Sequence, residues 1–116
     1  MVRERKRGRV TLICSCCQRQ VSRTEFHHLY FGRDKRFKEF CNNPLNLVSV
    51  CVPCHLGRAK TYEFKLEQMI LLVQRVGYDA VKEWLDSCPP KKRLGSEYPQ
   101  AVILLERARQ SLLRDT

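Results

Sequence analysis

Four cysteines fall into two Cys-x-x-Cys pairs, Cys14/Cys17 and Cys51/Cys54. All three histidines, His27, His28 and His55, lie between these pairs or directly beside them. A two-residue gap lets one tight turn aim both sulfurs at one ion, and thiolates suit zinc. Two such knuckles separated by a loop supply a full tetrahedral set, so Zn2+ is expected here. With all four positions filled by sulfur the ion has no open site, and its expected role is structural. Cys16 is an alternative ligand within Cys14-Ser15-Cys16-Cys17. Cys41 and Cys88 lack a partner at useful spacing and read as buried thiols. The cysteine count is odd, seven, and no apolar stretch of signal-peptide length follows the basic residues 1 to 9. The pairs therefore read as metal ligands in a reducing, cytoplasmic setting rather than as disulfides.

The histidines suggest a second kind of chemistry. Residues 25 to 30 (EFHHLY) have a strand pattern, and neighbours on a strand point to opposite faces. His27 and His28 thus cannot ligate one ion in the same way. One can bind a metal while the other faces a substrate, and His55 can reach the same metal. Asn46 stands at the start of the next strand, where its amide is expected to hold His28 in a useful tautomer and orientation. Flanked by Phe26 and Tyr30, the pair could instead be a core feature. The gathering of every histidine and an asparagine into the knuckle window favours chemistry.

These groups need elements to position them. Val10 to Ile13 reads as a short strand, and Leu45 to Cys51 (LNLVSVC) as the clearest one. Phe31 to Asn43 reads as a charged loop. Pro53 suits the first turn of a helix that carries Cys54, His55, Arg58 and Lys60. Leu66, Met69, Ile70, Val73 and Val76 recur at helical spacing, and Gly77 is a C-cap candidate. Asp79 is placed to cap a helix through Trp84 and Leu85. After the connection Ser87 to Gly95, Ser96 is placed to cap a last helix with Val102, Leu105, Ala108 and Leu112 on one face.

The 116 residues carry a net charge of +10. Residues 1 to 60 hold 13 basic and 4 acidic side chains, a net of +9, whereas the remainder is close to neutral. A polyanionic partner is implied, and its contacts should concentrate in the first half. Candidate backbone-gripping residues are Arg33, Lys35, Arg36 and Lys38 in the loop, Arg58 and Lys60 on the helix, and the arm itself. The length disfavours a compact two-domain enzyme. No window is apolar enough for a membrane span, and 43% apolar residues argue against a disordered chain.

In order along the chain, Cys14-x-x-Cys17, His27-His28, Asn46-Leu47-Val48 and Cys51-x-x-Cys54-His55 resemble the zinc-containing branch of the HNH endonucleases. The likeness covers roughly residues 10 to 60. It implies an α+β fold: a small ββα-metal core of HNH or treble-clef-like type with a structural zinc, followed by additional helices. The implied strands lie near 24 to 30 and 46 to 51, with a helix from about 53. The implied organisation is a basic arm at 1–9, the core at 10–62, and a helical extension at 63–116 packed on it. By position, His28 matches the general base, His27 and His55 match ligands of a catalytic divalent ion, and Asn46 matches the residue that orients the base. The chain departs from the pattern at three places. Ala59 stands where some relatives carry a further histidine, favouring Mg2+ or Mn2+ with retained waters over tight zinc binding. Gln18 stands where glycine is common, and the connection after His28 is basic rather than glycine-rich.

The expected function is a metal-dependent endonuclease or nickase acting on double-stranded DNA. The runners-up are a non-catalytic zinc-ribbon nucleic-acid-binding module and a phage-packaging accessory protein. The apolar faces of the second half leave room for a homodimer or a larger nucleoprotein or packaging complex. No membrane partner is expected.

Overall fold

The first turn among the described residues is built by sulfurs. In the computed structural model, which describes residues 12–114, β1 (Leu12–Ile13) pairs antiparallel with β2 (Gln20–Val21), and the Cys14–Cys17 knuckle closes the hairpin. The predicted basic arm, and Val10 and Thr11 of the first predicted strand, lie outside the described residues. Gln18 sits at φ 65°, in the left-handed region. A non-glycine residue there costs roughly 1–2 kcal/mol. Its amide Nε2 donates to the Ser15 carbonyl at 3.0 Å, which offsets part of that cost.

A second antiparallel pair joins β3 (Glu25–His28) to β4 (Leu47–Val50). The register sets Glu25 opposite Val50, Phe26 opposite Ser49, His27 opposite Val48 and His28 opposite Leu47. Both strands are shorter than their sequence pattern predicts. Pro44–Asn46 closes into a 3-10 turn, in which the Asn43 side chain accepts from the Leu45 amide. The connection between the strands is also more ordered than a charged loop. It forms a 3-10 turn over Lys35–Phe37, capped by the Asp34 carboxylate on the Arg36 amide, and then α1 (Lys38–Cys41). Buried Phe40 and Cys41 fix α1 to the core, which explains how such charged sequence becomes regular.

Helix α2 (Val52–Leu56) opens with Pro53 in its first turn, where a missing N–H is no loss. It stops at Gly57, earlier than predicted. Arg58 and Lys60 therefore sit on a separate 3-10 turn rather than on the helix of His55. The second half holds α3 (Tyr62–Val76), α4 (Tyr78–Asp86) and α5 (Glu97–Arg114). Thr61 caps α3 through the Phe64 amide, and Gly77, at φ 95°, ends it. Gly77, not Asp79, is also the N-cap of α4. Met69, Val81, Leu104 and Ala108 are fully buried among these helices. Met69, Val81 and Leu104 each contribute about 1.5–3 kcal/mol by burial, and the Ala108 methyl less.

The architecture among the described residues is thus mixed α and β, with two small sheets and five α-helices. The apolar core runs unbroken from Cys14, Phe31 and Val50 to Trp84 and Leu105. Polar bonds tie the halves as well. Tyr30 Oη donates to the Lys65 carbonyl, Trp84 Nε1 donates to the Phe40 carbonyl, and Glu97 accepts from the Gly32 amide. Among the described residues no helix is long and apolar enough to cross a membrane.

Candidate metal centre and histidine site

The hairpin turn brings Cys14 and Cys17 to the end of β4 and the start of α2, where Cys51 and Cys54 lie. The four Sγ atoms are within 4.8 Å of one another. This cluster can hold a zinc ion, and among the described residues it is the one such group of three or more metal-ligating side chains. Cys16 is outside it. Cys14 Sγ accepts backbone N–H groups from Cys16, Cys17 and Cys51 at 3.2–3.4 Å. Burial alone would raise its pKa. The three amides outweigh that and lower it to about 6, favouring the thiolate that a metal requires. Cys54, buried and lying among the other thiols, is raised. A dication held by the four sulfurs would favour the thiolate form of its ligands.

The histidines occupy the two faces of β3. Glu25 and His27 share one face, turned toward α2. Phe26 and His28 share the other, where Phe26 is 67% exposed. His27 is only 7% exposed, and its ring meets that of His55 edge-on, with centroids 5.2 Å apart. Burial, then the neighbouring His55, lower the His27 pKa to about 4 against the pull of a hydrogen bond to the Ala59 backbone. His27 is thus a neutral imidazole at pH 7. Its Nε2 is the one buried side-chain nitrogen or oxygen among the described residues without a hydrogen-bond partner. Buried polar atoms are rarely left so, and an orphaned imidazole nitrogen beside a second imidazole suits a metal.

His55 Nδ1 lies 2.8 Å from Glu25 Oε1. With the carboxylate accepting, Nδ1 carries the proton and Nε2 keeps its lone pair, the usual state of a carboxylate-held histidine ligand. The hydrogen bond to His55 is the largest influence lowering the Glu25 pKa. Arg23 holds the other oxygen of Glu25 at 3.0 Å. Sequence reasoning missed Glu25, although a strand period of two places it on the face of His27.

The expected partnership of Asn46 with His28 is corrected by the structure. Asn46 is fully buried and spends its whole hydrogen-bonding capacity elsewhere. Its Oδ1 accepts from the Tyr30 and Phe31 amides at 2.8 and 3.1 Å, and its Nδ2 donates to the Phe31 and Cys41 carbonyls at 2.8 and 2.7 Å. It lies one residue before β4, and its side chain is directed into the connection rather than across the sheet. Asn42 holds His28 instead, with Oδ1 2.9 Å from Nε2. That bond puts the proton on Nε2 and leaves Nδ1 as the basic nitrogen. Nothing in the sequence singles out Asn42, because the four-residue α1 that delivers it is too short to show a helical period.

The six candidate cations separate into groups. Arg36 is committed to Asp34 through two parallel bonds, Nε to Oδ1 at 3.2 Å and Nη2 to Oδ2 at 3.1 Å. Arg33, Lys35 and Lys38 are exposed, and together with Asp34 and Asn42 they line a cavity of about 220 Å3. Asn42 thus links this basic surface to His28. Arg58 lies elsewhere, lining a cavity with Ser15 and Cys16 beside the cysteine cluster. Lys60 is exposed.

No protein-family model, no curated protein and no solved structure matches the chain.

Proposed function

We propose that the protein is a metal-dependent DNA endonuclease or nickase whose cysteine cluster carries structural zinc and whose β3–β4–α2 unit works as a ββα-metal site. The observation that carries this reading is the pair of histidine environments on β3. His27 is buried, neutral and orphaned at Nε2 beside His55, while His28 on the opposite face is held by Asn42 with Nδ1 free. His27 and His55 would hold one divalent cation, with Glu25 fixing the tautomer of His55. When bound, Mg2+ or Mn2+ supplies Lewis-acid stabilisation of charge on the phosphate. With two protein nitrogens the ion would keep several waters, as Mg2+ and Mn2+ commonly do. Ala59, fully buried where some relatives carry a further histidine, agrees with this.

The other steps belong to the chain's own residues. His28 Nδ1 takes the proton of the attacking water. Imidazole is the side chain most often used as such a base. Asn42 keeps the ring from turning. Arg33, Lys35 and Lys38 bind backbone phosphates beside it, giving affinity and salt dependence without base readout. Supercoiled plasmid with Mg2+ or Mn2+ tests the reading. Wild type should nick or linearise it, and His28→Ala should lose about 100-fold or more in rate while retaining zinc. Equal cleavage by His28→Ala would overturn the mechanism. Salt-sensitive DNA binding with no cleavage in any divalent metal would leave a zinc-ribbon binding module.

A further inference from the structure

Beside the 220 Å3 cavity at Asn42 lies a larger one of about 570 Å3, and Lys35 and Lys38 line both. Its rim also carries Arg36, and its wall is aromatic: Phe37, Phe40 and Trp84. The Arg36 guanidinium carbon stands 5.2 Å from the centroid of the Phe37 ring. Asp34 fixes that guanidinium through its two parallel bonds, and Lys92 in turn holds Asp34 at 3.2 Å. The result is a flat cationic platform whose orientation is set before any ligand arrives. Phe40 and Trp84 stack behind it, with centroids 5.0 Å apart and planes 18° from parallel. The exposed ammonium groups of Lys35 and Lys38 have no ion pair among the described residues. The lining carboxylate Glu39 is outnumbered by the three cations.

Flat π and guanidinium surfaces ringed by free ammonium groups recognise an unpaired base with its phosphates. A duplex keeps its base faces stacked and cannot use the platform. An acidic peptide would use the ammonium groups but not the aromatic wall. We propose that this cavity binds an unpaired nucleotide of a DNA strand, the Arg36–Phe37 platform taking the base and Lys35 and Lys38 the flanking phosphates. The smaller cavity, which shares Lys35 and Lys38 with it, reaches Asn42, the partner of His28, so, resting on the nuclease reading, the larger cavity would seat a nucleotide near the cleaved bond. The substrate class becomes duplex DNA with an unpaired segment, such as a nick, flap or overhang.

Trp84 is the chain's one tryptophan and lines the cavity, so it reports directly on occupancy. The full zinc-loaded chain is titrated with dT16 without added divalent cation, so that cleavage plays no part. Saturable change in Trp84 fluorescence is expected, with affinity about fivefold or more above that for a blunt 16-base-pair duplex. The surface double variant Lys35→Ala/Lys38→Ala should melt like wild type and weaken dT16 binding about tenfold. Arg36→Lys, which keeps charge but loses the planar face, should weaken it about threefold. Unchanged Trp84 emission, equal affinity for duplex or for poly-glutamate, or insensitivity to the Lys35/Lys38 double variant would each overturn the proposal. A chain that nicks plasmid but gives no dT16 response refutes this site alone. A chain that binds dT16 through Lys35 and Lys38 but never nicks upholds the cavity and refutes the nuclease.

Discussion

The two halves of the molecule are held by different forces. Between residues 12 and 60 no strand exceeds four residues and no helix exceeds five. Elements so short cannot persist on their own propensity. They are fixed by directed bonds: four sulfurs within 4.8 Å, three amides on Cys14, and four backbone groups on one buried amide, Asn46. From residue 62 onward helices of 15, 9 and 18 residues pack through Met69, Val81, Leu104 and Ala108. Non-directional apolar burial suffices there. The difference matters for chemistry, because directed bonds hold side chains at fixed angles, which a histidine site needs and a packing layer does not.

Metal extraction should have the largest effect. Removal of zinc by a chelator, or Cys51→Ser, is expected to cost on the order of 10 kcal/mol. Because the core is continuous, the helices should melt with the knuckles, seen as one lowered circular-dichroism transition. A helical half that keeps its own sharp melting after zinc loss would break the comparison and make the halves independent units. Metal analysis of the untreated protein should find one zinc per chain.

A matched pair of truncations comes next. Asn46→Ala leaves four backbone groups buried without partners and should cost about 3 kcal/mol or more. Leu104→Ala, at the fully buried centre of α5, should cost about 2–5 kcal/mol by cavity formation. Thermal melts will place both near or above 10 °C of destabilisation. The sharper discriminator is Asn46→Asp. It keeps volume but loses both donors, and should be nearly as damaging as the alanine. A mild Asn46→Asp would show that shape rather than hydrogen bonding holds the connection.

The smallest effect is expected at the seam, where Asp34 bonds Arg36 and Lys92. The hydrogen bond from Arg36 leads in holding the Asp34 carboxyl well below its ordinary value of 3.8. A depressed carboxyl stabilises the fold fully above its unfolded value and loses that contribution as the pH falls through the folded one. Wild type should therefore lose melting temperature below about pH 4 more steeply than Asp34→Asn. At pH 7 the variant should be the less stable of the two. Parallel curves would show that the ion pairs contribute nothing to joining the halves.

Much of the site was legible along the chain because its grammar is local. A Cys-x-x-Cys pair makes its own turn, and adjacent strand residues must face opposite ways, so the sulfur set and the split between His27 and His28 follow from spacing. Gly77 follows from backbone sterics, and the stripe through Met69 from helical period. Asn42 and Asn46 show where this grammar ends. Both are asparagines near a turn, and only the register of β3 with β4 and the coil of α1 decide which one meets His28. Glu25 was within reach of a period-two argument, but its partner His55 stands thirty residues away on another element.

Residue types and short-range periodicity determined which groups could bind metal, which faces were apolar and which half was charged. These properties depend on covalent geometry and on the chain within a few residues. The tertiary structure decided the pairings: His55 with Glu25, Asn42 with His28, and Arg58 beside the sulfurs. Those choices depend on which distant segments the common core brings within 3 Å, and spacing along a chain carries no measure of that distance.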